Sequence, residues 1–526
     1  MTSQAGAIAI LNRLLLFGVR HIVLCPGSRS APLAYALKEL ESHGTIRLHV
    51  ETDERVAAFV ALGLGKASGV PAAVVTTSGS AVANLHPAMV EAFHAGVPLI
   101  ALTADRPAAM RGSGANQTTD QVGMLGPGLV GEIDLSADAA AAAPEALDRV
   151  LEKSWRGPIH INVSFDNPLT PTARSYPAPP ETGAFPVPES TVEPLELDSR
   201  PTVIIAGPGT PYAPALGRTG HGEIPMLAEP ASAERTAGIP AARIVAGELA
   251  HLVERVIIVG HPTLSRPITA LMSRTDIEVI AVQNDPVPTD PGRTARIVPV
   301  MPALAPQTEW LAAWNRAGAA AHRAGRAALG TEFDALAVAA AISDAQGQWF
   351  LGASTIIRDV DLLAGDPTAV FHASRGLAGI DGSISTARGM ASVLGGMRAA
   401  VGDLTFIHDL GGLVLTAGQD EPPLDVVVVD DAGGGIFATL EHGRREYGDS
   451  FDRVFRTAKN IDIVAAARAF GWEGIDVGSA DELTDILALP PERRIIRAAC
   501  PRTVEQVRTR RATVADAMAA AARAAV

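Results

Sequence analysis

The sequence predicts an α/β protein built from three doubly wound domains with mainly parallel sheets, and three observations lead there. Short apolar runs ending in turn residues alternate with alanine-rich helical stretches along the chain. Strand, loop, helix, strand in that order is the pattern of a parallel sheet covered on both faces. The runs fall into three sets, and 526 residues are too many for one core. A stretch rich in Pro, Ser and Thr, ARSYPAPPETGAFPVPEST at 173–191, has no periodicity and reads as a linker after the first set.

In chain order, MTSQAGAIAILNRLLLFG has no basic leader and Arg13 breaks its apolar run, so it reads as a helix and not a signal peptide. HIVLCPGS, IRLHVET, PAAVVTTSG, VPLIALTADRP and IHINVSF form the first set, assigned to a domain over 1–175. After the linker at 176–198, TVIIAG, RVIIVGHP and IEVIAVQNDP form a smaller α/β domain over 199–325. An alanine-rich helical stretch around 308–345 leads into AVFHAS, LTFIHDL, LDVVVVDDAGGG and RRIIRAAC, assigned to 326–526.

Composition narrows the function. Apolar residues make up 47% and charged residues 19%, ordinary for a core-forming protein. A net charge of −14 argues against a nucleic-acid partner, which needs a positive surface. Local arginine pockets can still hold small anions. Two isolated cysteines, Cys25 and Cys500, exclude a disulfide framework and point to a reducing, cytoplasmic setting. The longest uncharged stretch, 67–90, is full of Thr, Ser, Asn, His and Pro, so no membrane span is expected.

Ligands of doubly wound sheets sit beyond the carboxyl ends of the strands. There the chain carries CPGSRS, VETDER, TTSGS, TADRP, HASRG, HDLGG and DDAGGG. Several glycine motifs are decoys. GLGKASG at 63–69 has the wrong third spacing for a dinucleotide loop and follows a helix, and GPGTP at 207–211 has no third glycine. Gly65-Lys66 lacks the rest of a P-loop, and SGS at 78–80 is no nucleophile elbow.

The informative pair is Gly402-Asp403 and Asp430-Asp431-Ala432-Gly433-Gly434-Gly435, with 26 residues between Asp403 and Asp430. One strand, a crossover helix and the next strand need about that interval to set two loops side by side. Two carboxylates and a glycine carbonyl suit Mg²⁺ or a similar hard cation, and the glycines admit a phosphate. Two ordinary Asp-Gly turns would read the same way. ETDER at 51–55 opens a small-residue helix; Glu51 and Asp53 fit simple charge matching to a helix start, and Glu54 fits either that or a chemical role.

CPGSRSAPL, DERVAAFVALG, TTSGSAVANLHPAMVEA, TADRPAAMRGSGANQT, SRGLAGIDGSISTARG and GDLTFIHDLGGL resemble, in this order, the 2-succinyl-5-enolpyruvyl-6-hydroxy-3-cyclohexene-1-carboxylate (SEPHCHC) synthases of menaquinone biosynthesis. These are thiamine diphosphate (ThDP) enzymes. The resemblance spans both terminal thirds and is loose in the middle one. GDL…DD departs from the superfamily's usual GDG…NN at Leu404 and at both aspartates, which makes the metal site more anionic.

The resemblance implies a ThDP-binding fold, with pyrimidine and diphosphate domains flanking a central domain. It implies Mg²⁺- or Mn²⁺-dependent decarboxylating addition of 2-oxoglutarate to isochorismate, in a homodimer or homotetramer with sites between subunits. Asp403, Asp431 and the Gly433 carbonyl would hold the metal, and Gly434, Ser374 and Ile380 the cofactor. Glu54 would bond the cofactor's pyrimidine and, with Gln117, Arg358 and Arg375, form the catalytic set.

Ser28, Arg29, Arg106, Asn116 and Gln117 would line the isochorismate side. Ser354, Arg358 and Arg375 would take the other carboxylates, Ile436 and Phe437 an apolar wall, and Arg266 in HPTLSRP a middle-domain contact. Several carboxylates per turnover call for arginine's planar fork. Each residue also has a plainer reading: surface ion pairs for the arginines, a loop cap for Gln117, core packing for the apolar three. Rival functions are another ThDP carboligase or decarboxylase, or a non-catalytic ThDP-like subunit. The intact Glu54, Asp403 and Asp431 speak against the latter.

Overall fold

The computed structural model describes residues 3–171, 178–185, 192–209, 223–283, 286–365 and 368–526. Part of the expected linker, 172–177 and 186–191, lies outside the described residues, as does the end of GPGTP. Within the linker's described part, the Gly183 amide donates to the Leu15 carbonyl and Glu196 bridges Ala303. Among the described residues no helix is long and apolar enough to cross a membrane.

Three parallel sheets form. The first contains β1 (His21–Leu24), β2 (Arg47–Val50), β3 (Ala72–Thr76), β4 (Leu99–Asp105), β5 (Gly131–Ser136) and β6 (Ile159–Ser164), in the order β2-β1-β3-β4-β6-β5. The second contains β7 (Thr202–Ala206), β8 (Met226–Ala228), β9 (Arg255–Val259), β10 (Glu278–Val282) and β11 (Arg296–Val298), in the order β11-β10-β9-β7-β8. The third contains β12 (Gly347–Leu351), β13 (Ala369–His372), β14 (Met397–Gly402), β15 (Leu424–Asp430), β16 (Glu473–Val477) and β17 (Arg493–Ala499), in the order β13-β12-β14-β15-β17-β16. Central strands such as Val426–Val429 are buried β-branched runs, as strands covered on both faces must be.

LTFIHDL, read above as a strand, is instead a helix, Asp403–His408, that follows β14. The glycines lead into a single helical turn at Gly435–Ala438. One apolar core runs unbroken from the second sheet, through Trp314 of the helix Thr308–Ala328, to Trp349 of the third sheet.

The first and third sheets are joined by two helices, Glu54–Ser68 and Ser383–Leu394. Their glycines let the backbones touch: a Cβ on Gly63 would lie 2.1 Å from the Thr386 carbonyl, and one on Gly389 2.1 Å from that of Val60. Gly63 of the decoy GLGKASG thus serves helix packing. Beside this seam Arg388 is buried and pairs with Glu51 and Glu421, each at 3.0 Å. Glu51 is therefore no helix-start acid; it is half of a buried ion pair between domains. Asp53 does cap the helix, accepting from the Arg55 and Val56 amides.

Gly63→Ala should separate the two helices and lower the thermal midpoint, at the upper end of ordinary point substitutions, about 2–3 kcal/mol. A midpoint equal to wild type would refute this packing.

Candidate active site

In a doubly wound sheet the crevice opens where strand order reverses. In the third sheet that point lies between β12 and β14, and the loops leaving them carry Ser354 and Asp403. β15 lies on the other side of β14, with Gly402 in register with Val429, so Asp403 and the Asp430–Gly435 loop are neighbours, as their spacing requires. Asp403 Oδ2 accepts the Gly433 amide at 2.7 Å, and its Oδ1 accepts the Leu404 amide at 2.8 Å. Ala432 and Gly433 both have positive φ, 62° and 126°. A Cβ on Gly433 would strike the Arg456 carbonyl at 2.4 Å, so only glycine fits there.

A pocket of about 230 Å³ opens at this point. It gathers eight of the residues singled out in the sequence: Ser354, Ile380, Asp403, Asp431, Gly433, Gly434, Ile436 and Phe437. Burial is the main cause that pushes the Asp403 carboxyl up to about 6 and that of Asp431 up to about 7; the neighbouring aspartates add to both. Arg511 and Arg456 oppose the shift at Asp431. Two buried carboxylates repelling each other are a donor set that fits a divalent cation. Among the described residues no three His, Cys, Asp or Glu side chains cluster as a metal site.

Arg358 lies one turn into the helix that Ser354 starts, and Arg375 follows buried Ser374 in the loop leading to Ile380. Arg358 Nη1 donates to the Leu264 carbonyl at 2.8 Å. Arg375 Nη2 donates to the Thr263 carbonyl and hydroxyl at 3.2 and 3.0 Å. The Nε of each is buried without a partner, as is the Ser354 hydroxyl. Among the described residues neither guanidinium has a carboxylate within 4.0 Å. Burial lowers the pKa of both, and at Arg358 the charge of Arg375 adds to it.

The N-terminal candidates sit at the matching crevice of the first sheet, between β1 and β3. Arg29 is buried and donates to the Phe165 carbonyl at 2.8 Å; burial lowers its pKa and the charge of Arg106 lowers it further. The Nε atoms of Arg29 and Arg106 are buried without partners. Gln117, at φ 54°, is pinned twice to Ser78 through Nε2 and its carbonyl, both at 2.9 Å. Asn116 and Ser28 are exposed beside them. Glu54, half-buried at the helix start, accepts from Asn84 Nδ2 at 3.4 Å.

The chain thus brings the candidates together in two groups. Among the described residues no hydrogen bond or ion pair joins Glu54, Ser28, Arg29, Arg106 or Gln117 to the third-sheet pocket. Arg266 belongs to neither group; it is exposed and paired with Glu441 at 2.9 Å. It is Thr263 and Leu264 in the same HPTLSRP segment that meet the arginines, through both carbonyls and the Thr263 hydroxyl, and the backbone contacts leave no mark in residue types. Asn84, inside the quoted TTSGSAVANLH block, was legible but not singled out.

The fold and site define a thiamine diphosphate-dependent enzyme. Residues 4–124 match the thiamine pyrophosphate enzyme N-terminal TPP-binding domain, and residues 361–489 the corresponding C-terminal TPP-binding domain. The chain is 42% identical to the SEPHCHC synthase of Arthrobacter sp. (strain FB24), over 94% of this chain and 88% of that protein. It is 41% identical to that of Kineococcus radiotolerans, over 99% of each, and 37% identical to that of Mycobacterium avium, over 95% and 97%. The chain belongs to the SEPHCHC synthase family, a family of transferases.

Because Asp403 and Asp431 titrate well above the ordinary 3.8, the folded state keeps protons that the unfolded chain has released. Their contribution to stability therefore falls as pH rises from about 4 through 7. In the metal-free protein Asp431→Asn should raise Tm at pH 8 by about 2 °C or more, with a smaller gain at pH 5. A gain that does not depend on pH, or a loss at pH 8, would contradict this electrostatic reading.

Proposed function

We propose that this enzyme decarboxylates 2-oxoglutarate and adds the remaining four-carbon unit 1,4 to isochorismate, giving SEPHCHC and CO₂. The observation that carries the reading is the pair Arg358 and Arg375: one half-buried and one buried guanidinium, on the segments that carry Ser354 and Ile380 to the pocket, each with an enclosed, unpartnered Nε and no carboxylate in ion-pair range among the described residues. Buried cations left unpaired are costly unless an anion arrives, and a dicarboxylic oxoacid supplies two. Simple pyruvate chemistry would leave one of them without use.

When bound, thiamine diphosphate supplies a carbon nucleophile that accepts the oxoacid and holds the electron pair released with CO₂. Asp403, Asp431 and the Gly433 carbonyl would hold Mg²⁺ or Mn²⁺ against the diphosphate, and Ile380 would support the cofactor. Glu54 Oε would exchange a proton with the pyrimidine ring nitrogen. Arg375, Arg358 and Ser354 orient the carboxylates of the oxoacid, while Ile436 and Phe437 keep water from that side. Arg29, Arg106, Ser28, Asn116 and Gln117 receive isochorismate. As no hydrogen bond or ion pair joins the two groups within one chain among the described residues, the working site would form between copies in a homodimer or homotetramer, in the cytoplasm.

The test is CO₂ release from 2-oxoglutarate with ThDP and Mg²⁺, with and without isochorismate, for wild type and Glu54→Gln. Wild-type turnover should require isochorismate and cease with a chelator, and Glu54→Gln should lose at least about 10²-fold, the scale of a lost acid–base group. Turnover indifferent to isochorismate would overturn the acceptor; an unaffected Glu54→Gln would return that glutamate to helix capping.

A further inference from the structure

We propose that Glu229, in the central domain, is a positioning residue for Arg358 and Arg375, acting through the backbone of Thr263 and Leu264; this rests on the reading of those arginines as carboxylate receptors. Glu229 follows β8 directly, with its amide bonded to the Ala206 carbonyl at 2.8 Å and its side chain buried. Its Oε1 accepts the Leu264 amide at 2.6 Å. Among the described residues no cation lies within ion-pair distance of it.

The dipeptide faces two ways. The Leu264 amide goes to Glu229, while the two carbonyls and the Thr263 hydroxyl go to Arg358 and Arg375. Three ionisable side chains from three segments, Glu229 and Arg375 buried and Arg358 half-buried, therefore converge on two residues of loop.

The choice of acceptors matters. A carbonyl fixes a guanidinium without neutralising it, so charge and the Nε donors stay free for a ligand. A carboxylate in direct contact would occupy those donors. Glu229 is set one peptide back, where it holds the cradle without an ion-pair contact to either arginine, and its charge and that of Glu91 reach Arg375 only from beyond that distance. Burial pushes its carboxyl up to about 8, so near neutral pH it is largely a neutral acceptor, which an amide can imitate.

A buried carboxyl without an ion partner disfavours folding relative to an apolar side chain of similar size. Its presence is accounted for by what it holds. The same device recurs on the other side of Arg375, where Glu91 of the N-terminal domain accepts the Gly376 and Leu377 amides at 2.8 and 2.7 Å. The oxoacid-binding arginines are thus set by all three domains, and the central domain contributes to substrate binding without touching substrate.

The test compares Glu229→Ala and Glu229→Gln in the full-length enzyme, by 2-oxoglutarate KM and kcat, calorimetric 2-oxoglutarate binding, and ThDP affinity. Glu229→Ala should raise KM and Kd for 2-oxoglutarate about tenfold, with kcat changed less and ThDP affinity unchanged. Glu229→Gln should stay within about threefold of wild type. If the alanine variant does not fold, Thr263→Val, which removes one acceptor of Arg375, carries the test with an expected rise of about threefold. Unchanged 2-oxoglutarate affinity, or a loss that follows ThDP affinity, would overturn the inference. If wild type proves indifferent to isochorismate, the reaction reading falls, while the binding comparison still decides this one. No binding of 2-oxoglutarate by wild type would overturn both.

Discussion

Asp403 and Asp431 line one pocket, and Arg358 and Arg375 share a largely enclosed junction with no carboxylate in ion-pair range among the described residues. Like charges held together away from water resist folding, and their own ligands would relieve them. The rest of the structure supplies the means to keep these groups in place. The sheets put two strand-end loops beside each other at the reversal point, glycines bring the backbone close enough to bond the carboxylate, and carbonyls hold the guanidiniums without consuming their charge. Remove the scaffold and each group would turn to water or to a counter-ion.

The same economy explains why the buried charges of the seam between domains look different. Arg388 sits between Glu51 and Glu421 at 3.0 Å from each, so its charge is compensated. Comparing the two junctions separates a structural ion pair from a binding site by one criterion: whether a carboxylate already lies in ion-pair range. Arg388 locks domains together; Arg358 and Arg375 wait for substrate carboxylates in the function proposed here.

Much of this was legible in the sequence, for physical reasons. Runs such as Val426–Val429 announce themselves because strands covered on both faces must be apolar throughout. Edge strands hide: β5 alternates half-buried and exposed residues, and β8 and β11 are three residues long. LTFIHDL misled because a short apolar run fits a strand as well as a helix turn. In the site, motifs at strand ends marked the chemistry, and their spacing fixed the Asp403–Gly433 contact. What stayed invisible was long-range or carried by backbone. Arg388 is 337 residues from Glu51, and Leu264 acts through an amide and a carbonyl that almost any residue has.

One chain holds two half-sites, Glu54 with the first-sheet arginines and Asp403 with the third-sheet pocket, and the account joins them between subunits. Mixing Glu54→Gln chains with Asp403→Asn chains under conditions that exchange subunits tests this most directly. Each variant alone should be inactive, while a mixed pair contains one site with both residues intact. Random exchange should therefore restore about a quarter of wild-type activity, half the dimers with one of two sites working. No recovery, with exchange demonstrated, would place both halves of the site in one chain and contradict the account.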